Sequence, residues 1–315
     1  MRTTATQALA LAVWALATLA PERARAAPES SPWGAKYFPN VELVTQDGVK
    51  VRFYEDLVRD RHVVVSFIYT RCTKQCGLIT ANLARVQREL GDRVGKDVFF
   101  YSITLDPERD TPAALKRYAE AFKARPGWTF LTGKKEDVQL LRRKFGDLAS
   151  VEDHAAAINI GNDRVGQWWH TSAIDDPKYL ATVIGDWMDP RSNGRSSAKS
   201  YAEVPRLVPL SKGHTIFRQR CAACHAPGGQ SVGPDLRGVV ARRDPKWLAR
   251  WLKDPEGMLA RKDPVATALL AKSGGVAMPN TGLTDAEVDD VIRFLQAPEG
   301  PTAASADGKG TTGTR

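Results

Sequence analysis

From residue 33 to about 190, short apolar runs alternate with stretches whose apolar residues recur at helical spacing. Residues 42–54 read as a hairpin with Asp47-Gly48 at the turn. Residues 62–69 (HVVVSFIY) form a β-branched, apolar run suited to a strand covered on both faces, and 97–105 (DVFFYSITL) form a second. A helix is expected between them over 78–90, stopped by Gly91. Thr111 as N-cap and Pro112 at the first helical position open another, with Leu115, Tyr118, Ala119 and Phe122 on one face. A short strand at 129–131, a helix at 136–145, a hairpin of 155–160 with 165–169, and a closing helix at 177–187 complete the unit. Strands alternating with helices predict a mixed sheet layered by helices.

The pattern then changes. Residues 189–206 are rich in Ser, Arg and Pro and read as a linker. Residues 207–297 are helical in period with no convincing strand, and 298–315 lack the apolar residues to fold. Two domains are therefore expected, an α/β unit at 33–188 and a small all-α unit at 207–297.

Composition narrows the setting. With 43% hydrophobic and 26% charged residues, the chain is neither disordered throughout nor a multi-span membrane protein. The N-terminus carries Arg2, an apolar run at 8–20, and Ala24-Arg25-Ala26, which together read as an export signal cleaved after Ala26. An uncleaved anchor is the alternative. Export points to a bacterial periplasm. The formal net charge of +9 falls to about +7 without residues 1–26, so an acidic docking partner or an anionic membrane face is expected rather than nucleic acid. All four cysteines fall into two close pairs, Cys72 with Cys76 and Cys221 with Cys224, which points to chemistry rather than to a disulfide framework.

Cys221-Ala222-Ala223-Cys224-His225 is a C-x-x-C-H attachment sequence for c-type haem. Two thiols at that spacing can add to the two vinyl groups of one haem, with the adjacent histidine beneath the iron. A disulfide or half of a zinc site are the other readings, but His214 is the sole further histidine nearby. Residues 211–220 read as a helix leading into the site, and Thr284-Asp285-Ala286-Glu287 as a capping box opening the last one. This half resembles class I cytochromes c. Gly213 and Phe217, facing Phe294, match that family's helix crossing; Gly233-Pro234-Asp235-Leu236 matches its loop; Met278-Pro279 matches its sixth ligand. The resemblance implies His225 and Met278 as axial ligands and the Pro234 carbonyl as acceptor for the histidine N–H. Met258 is the competing methionine, without a following proline. Trp247 and Trp251 are expected to pack against the haem.

Cys72-Thr73-Lys74-Gln75-Cys76 follows the first buried strand and opens a helix, where the helix dipole favours thiolates. Residues at i and i+4 share a face, so both sulfurs can close on one ion, and two thiolates suit Cu(I). Spacing alone leaves copper binding, dithiol redox and a structural role open. The surrounding residues resemble the Sco (SenC) family of thioredoxin-like copper proteins. Phe67-Ile68-Tyr69-Thr70-Arg71-Cys72-Thr73 with Cys76, the 106–112 loop DPERDTP, and Phe130-Leu131-Thr132-Gly133 match its motifs. Gly77 departs from the proline usual after the second cysteine. The resemblance implies a thioredoxin-like fold and a copper site of Cys72, Cys76 and His154, with Asp153 orienting His154 or completing the sphere. His170 is an alternative ligand or a surface residue. Asp106, Arg109 and Asp110 are expected to tie down the loop opposite the site.

The resemblance further implies copper delivery to the dinuclear copper centre of a haem-copper oxidase, with copper donors, the oxidase's copper-centre subunit and periplasmic electron-transfer proteins as partners. A haem carries one electron and a dithiol exchange moves two, so a Cu(I)/Cu(II) couple suits the attached haem. Thiol–disulfide reduction of oxidase cysteines, and electron relay with the first domain as docking module, are the alternatives.

Overall fold

The computed structural model describes residues 32–72, 75–151, 156–187, 210–225 and 231–297. The export signal, linker, tail, Asp153 and His154 named above lie outside the described residues.

A seven-stranded sheet in the order β2-β1-β5-β4-β3-β6-β7 organises the first half. It comprises β1 (Glu42–Thr45), β2 (Lys50–Arg52), β3 (His62–Ile68), β4 (Val98–Thr104), β5 (Trp128–Gly133), β6 (Ala157–Asn162) and β7 (Gln167–Ser172). The central pairs β3–β4 and β4–β5 are parallel, and the outer pairs are antiparallel. Every residue of β3 is buried, which is why its sequence does not alternate. Val64 and Ile68 point to a core shared with α1 (Cys76–Leu90), α2 (Pro112–Ala121) and α4 (Pro177–Thr182). Val63, Val65 and Phe67 point to a second core on the other face, closed by α3 (Lys135–Lys144). At the centre of the sheet the Ser66 and Ser102 hydroxyls lie 2.8 Å apart, and Trp128 Nε1 donates to Ser102 at 2.9 Å. This is the thioredoxin-like α/β arrangement expected.

Several boundaries differ from the sequence pattern. The first hairpin ends at Arg52, because the Asp56 carboxylate accepts the Arg52 N–H at 2.6 Å and the chain winds into a π-helical turn over Phe53–Val58. The last hairpin's second strand starts at Gln167 after a 3-10 turn at Asp163–Val165. The closing helix is regular only to Thr182 and continues as a π turn over Val183–Trp187. Helix α1 begins at Cys76, two residues earlier than expected.

The second half is all-α among the described residues. It contains α5 (Lys212–Arg220), α6 (Val239–Arg242), α7 (Pro245–Lys253), α8 (Pro255–Ala260), α9 (Pro264–Lys272) and α10 (Asp285–Gln296). Helices α5 and α10 cross at Gly213, where an added Cβ would lie 2.0 Å from the Asp290 carbonyl oxygen. Phe217 and Phe294 meet beside the crossing at 5.3 Å between ring centres. Thr284 and Glu287 form the expected capping box on α10. Among the described residues no helix is long and apolar enough to cross a membrane.

Candidate functional site

The first pair of cysteines sits at the carboxyl end of β3, where the chain turns into α1. Loops at the carboxyl ends of parallel strands are where open α/β sheets place ligands. The segment before Cys72 is held by Asp110, which is 1% exposed. Its carboxylate accepts the Thr70 N–H at 3.0 Å and the hydroxyls of Thr70 and Thr104. Asp110 therefore anchors the cysteine segment itself rather than a loop across from it, because β3 and β4 are neighbours and their carboxyl-end loops touch. Asp106 and Arg109 pair locally, with Nη1 to carboxylate at 3.2 Å.

Cys72 is partly exposed, Cys76 is fully buried, and neither is in a disulfide. The Cys76 N–H donates to the Cys72 sulfur at 3.3 Å, so the two residues of the pair adjoin where the chain enters α1. That contact also replaces a side-chain cap, which Gln75 does not supply. A hydrogen bond with the Cys72 sulfur, together with burial, pushes the Cys76 thiol far above the ordinary cysteine range. The helix dipole, expected to favour thiolate, is outweighed at Cys76 by the hydrogen bond with the Cys72 sulfur and by burial. Cys72 lies before α1 rather than on its first turn, so the pair meets at the helix entry and not along one helical face. Adjoining there, the two cysteines could hold a soft cation such as Cu(I), whose charge would favour the deprotonated pair. His170 lies on edge strand β7, exposed, with Nδ1 3.1 Å from the Asn159 side-chain oxygen.

Behind the pair, the Thr80 hydroxyl donates to the Cys76 carbonyl at 2.8 Å and lies 3.0 Å from the Tyr118 hydroxyl. Burial raises the Tyr118 phenol well above its usual range, so it stays a neutral hydrogen-bonding group. The helical period of α2 marks Tyr118 as inward, but not that it reaches the cysteine turn.

The second pair lines a cleft of about 1450 Å³ of empty space, part of it open to solvent. Cys221, Cys224, His225, Pro234 and Met278 all contribute to its wall. His225 Nδ1 lies 2.9 Å from the Pro234 carbonyl oxygen, which leaves the other ring nitrogen for a ligand. Gly233 lets that loop approach: an added Cβ would lie 2.7 Å from both the Cys224 carbonyl oxygen and the imidazole. Burial pushes Cys221 and Cys224 up to about 12 and holds the His225 imidazole below its ordinary value, so both thiols and the imidazole are neutral here. Met278 packs partly buried against both helical cores, whereas Met258 is packed away with Trp247 and Trp251. The two indoles stack at 5.5 Å and form part of the cleft wall. A pair of thiols, an imidazole and a thioether around an apolar cleft form a donor set that fits a covalently attached haem.

The two sites adjoin. Ala81 and Phe122 of the first half are buried with Ala223 of the attachment sequence, and Leu78, Cys224 and Val276 pack on this cluster. Lys123 Nζ donates to the Ser231 carbonyl at 2.9 Å, and the Ser231 hydroxyl donates to the Cys224 carbonyl at 2.6 Å. Gly77, the residue after Cys76, is part of the cleft wall. Neither Gly77's role as wall nor the Lys123 contact is readable from residue spacing, since both join segments more than a hundred residues apart.

Known proteins resemble the two halves separately. The SCO1/SenC family model matches residues 32–165 and the cytochrome c model residues 210–297. A Stutzerimonas stutzeri protein named for copper binding is 31% identical over 108 residues, 34% of this chain and 51% of the relative. A SCO1 protein homolog of Bacillus subtilis is 33% identical over 89 residues, 28% of this chain and 45% of the relative. The chain thus spans about half the length of these curated relatives. The structure of Bradyrhizobium japonicum ScoI with copper bound is 24% identical, covering 45% of this chain and 94% of that one, with a TM-score of 0.39. Matched at both ends by family models, the chain is a SCO1/SenC domain joined to a cytochrome c domain.

Proposed function

We propose that the chain is a periplasmic copper metallochaperone for the dinuclear copper centre of a haem-copper oxidase. Its covalent c-type haem exchanges single electrons with the copper or with the respiratory chain. The observation that carries this reading is that Cys72 and Cys76, neither in a disulfide, adjoin where the chain enters α1. In this reading Cys72, Cys76 and His154 hold copper as cargo, and Asp110 fixes the segment that presents Cys72. Cys221 and Cys224 attach the haem, His225 and Met278 approach its iron, and the Pro234 carbonyl orients the imidazole. Haem held there supplies a one-electron couple, which matches Cu(I)/Cu(II) rather than a two-electron dithiol. The basic surface favours fast encounter with an acidic partner such as the oxidase subunit or a copper donor.

Metal analysis of periplasmically expressed protein tests the reading. One copper per haem is expected, falling to none in Cys72→Ser/Cys76→Ser with haem retained. Copper unchanged in the double variant would overturn the site. Rapid mixing of the haem-reduced protein with Cu(II) is expected to oxidise the haem in step with copper load.

A second reading, thiol–disulfide reduction of oxidase cysteines, is favoured by the asymmetry of the pair. Cys72 is partly exposed and Cys76 buried, as an attacking and a resolving thiol would be. It requires disulfide reduction by metal-free protein, lost in Cys72→Ser.

A further inference from the structure

We infer that Gly77 is the residue through which the two sites meet: its missing side chain gives the haem edge room against the first turn of α1, one residue from Cys76. This rests on the proposed single-electron exchange between copper and haem. Gly77 is the second residue of α1 and has no left-handed backbone that would require glycine. A Cβ added there would meet only the Phe122 ring, at an ordinary 3.6 Å. A helical glycine costs roughly 0.5–1 kcal/mol relative to alanine, so neither backbone nor packing accounts for it. What lies beyond is the cleft, whose wall Gly77 shares with Cys224, His225, Val232 and Val276. The wall is fixed in place by the buried cluster of Ala81, Phe122 and Ala223 and by the Lys123 contact to Ser231. Consecutive Cα atoms are about 3.8 Å apart, so a haem edge seated on Gly77 lies one peptide unit from a copper-holding residue. The step is a single transfer: haem Fe(II) becomes Fe(III) and Cu(II) held by the cysteines becomes Cu(I), with no proton or ligand changing hands.

The test uses the full-length, haem-loaded protein and its Gly77→Ala and Gly77→Leu variants. Both replacements are better helix formers than glycine, so far-UV circular dichroism is expected to be unchanged. Soret-region circular dichroism, which reads the haem's surroundings, is expected to change in both variants and more in Gly77→Leu than in Gly77→Ala. An unchanged Soret spectrum in Gly77→Leu overturns the contact, whatever the copper does. In Cu(II)-loaded protein the flash-reduced haem is expected to reoxidise at a rate independent of protein concentration, and several-fold more slowly in Gly77→Leu. Equal rates in the two proteins overturn coupling through Gly77. Absence of any copper-dependent phase in the parent overturns that coupling together with the electron-exchange reading, while the Soret result still decides whether the haem touches Gly77.

Discussion

A single buried carboxylate determines how Cys72 is presented. Asp110 takes one backbone and two hydroxyl donors, and it does so at the join of two parallel strands. Hydrogen bonds to a charged group contribute about 1.5–3 kcal/mol each, so Asp110→Asn is expected to lower the urea midpoint and to weaken copper binding in a chelator competition. Stability lost with copper affinity unchanged would confine Asp110 to the fold. In the cytochrome half, Gly233→Ala should push the loop off the imidazole and break the bond to Pro234. The expected result is a lower yield of covalent haem, or a shifted haem potential in whatever forms, read by pyridine haemochrome assay and spectroelectrochemistry. The DPERDTP motif and the Gly-Pro-Asp-Leu loop could be read along the chain. Which carboxylate of the motif is buried could not, because that depends on Thr70, just past β3, and Thr104, the last residue of β4, arriving beside it.

Elements were legible where their determinants are local. Thr111 caps α2 and Pro112 starts it. The Thr284–Glu287 box does the same for α10, and there the cap carries a pH dependence. The Thr284 backbone N–H holds the Glu287 carboxyl below the usual glutamate range. A depressed carboxyl contributes stability above its unfolded value and loses it as pH falls through the folded one. Glu287→Gln is therefore expected to flatten the acid side of the haem domain's thermal stability profile while leaving pH 7 activity unchanged. Gly213→Ala should be costly at every pH, since its Cβ would collide with the Asp290 carbonyl and force α5 and α10 apart. Melting followed at the Soret band checks both. Local pattern failed where a distant or off-period group intervened. The residues after Arg52 continue a plausible strand, but Asp56 captures the Arg52 N–H and bends the chain into a π turn. Likewise α1 starts at Cys76 because a sulfur four residues back takes its first N–H.

At the scale of the whole molecule, the two halves share a buried cluster centred on Phe122, which is 3% exposed. Phe122→Ala is expected to cost about 3–5 kcal/mol. Because the ring bridges both halves, unfolding followed by far-UV and by Soret signals should coincide in the parent and separate in the variant. Separate transitions already present in the parent would mean the cluster does not couple the halves. By itself the sequence determined the two kinds of domain, the caps of α2 and α10, and the grouping of the four cysteines into two close pairs, while spacing left the chemistry of Cys72 and Cys76 open. Period, capping and ligand spacing are properties of neighbours along a chain. The tertiary structure decided that Cys76 is buried, that Asp110 holds the segment of Cys72, and that Gly77 shares a cleft wall with Cys224 and His225. Each of these depends on desolvation or contact between segments far apart in sequence, and such contacts exist only after the chain has packed.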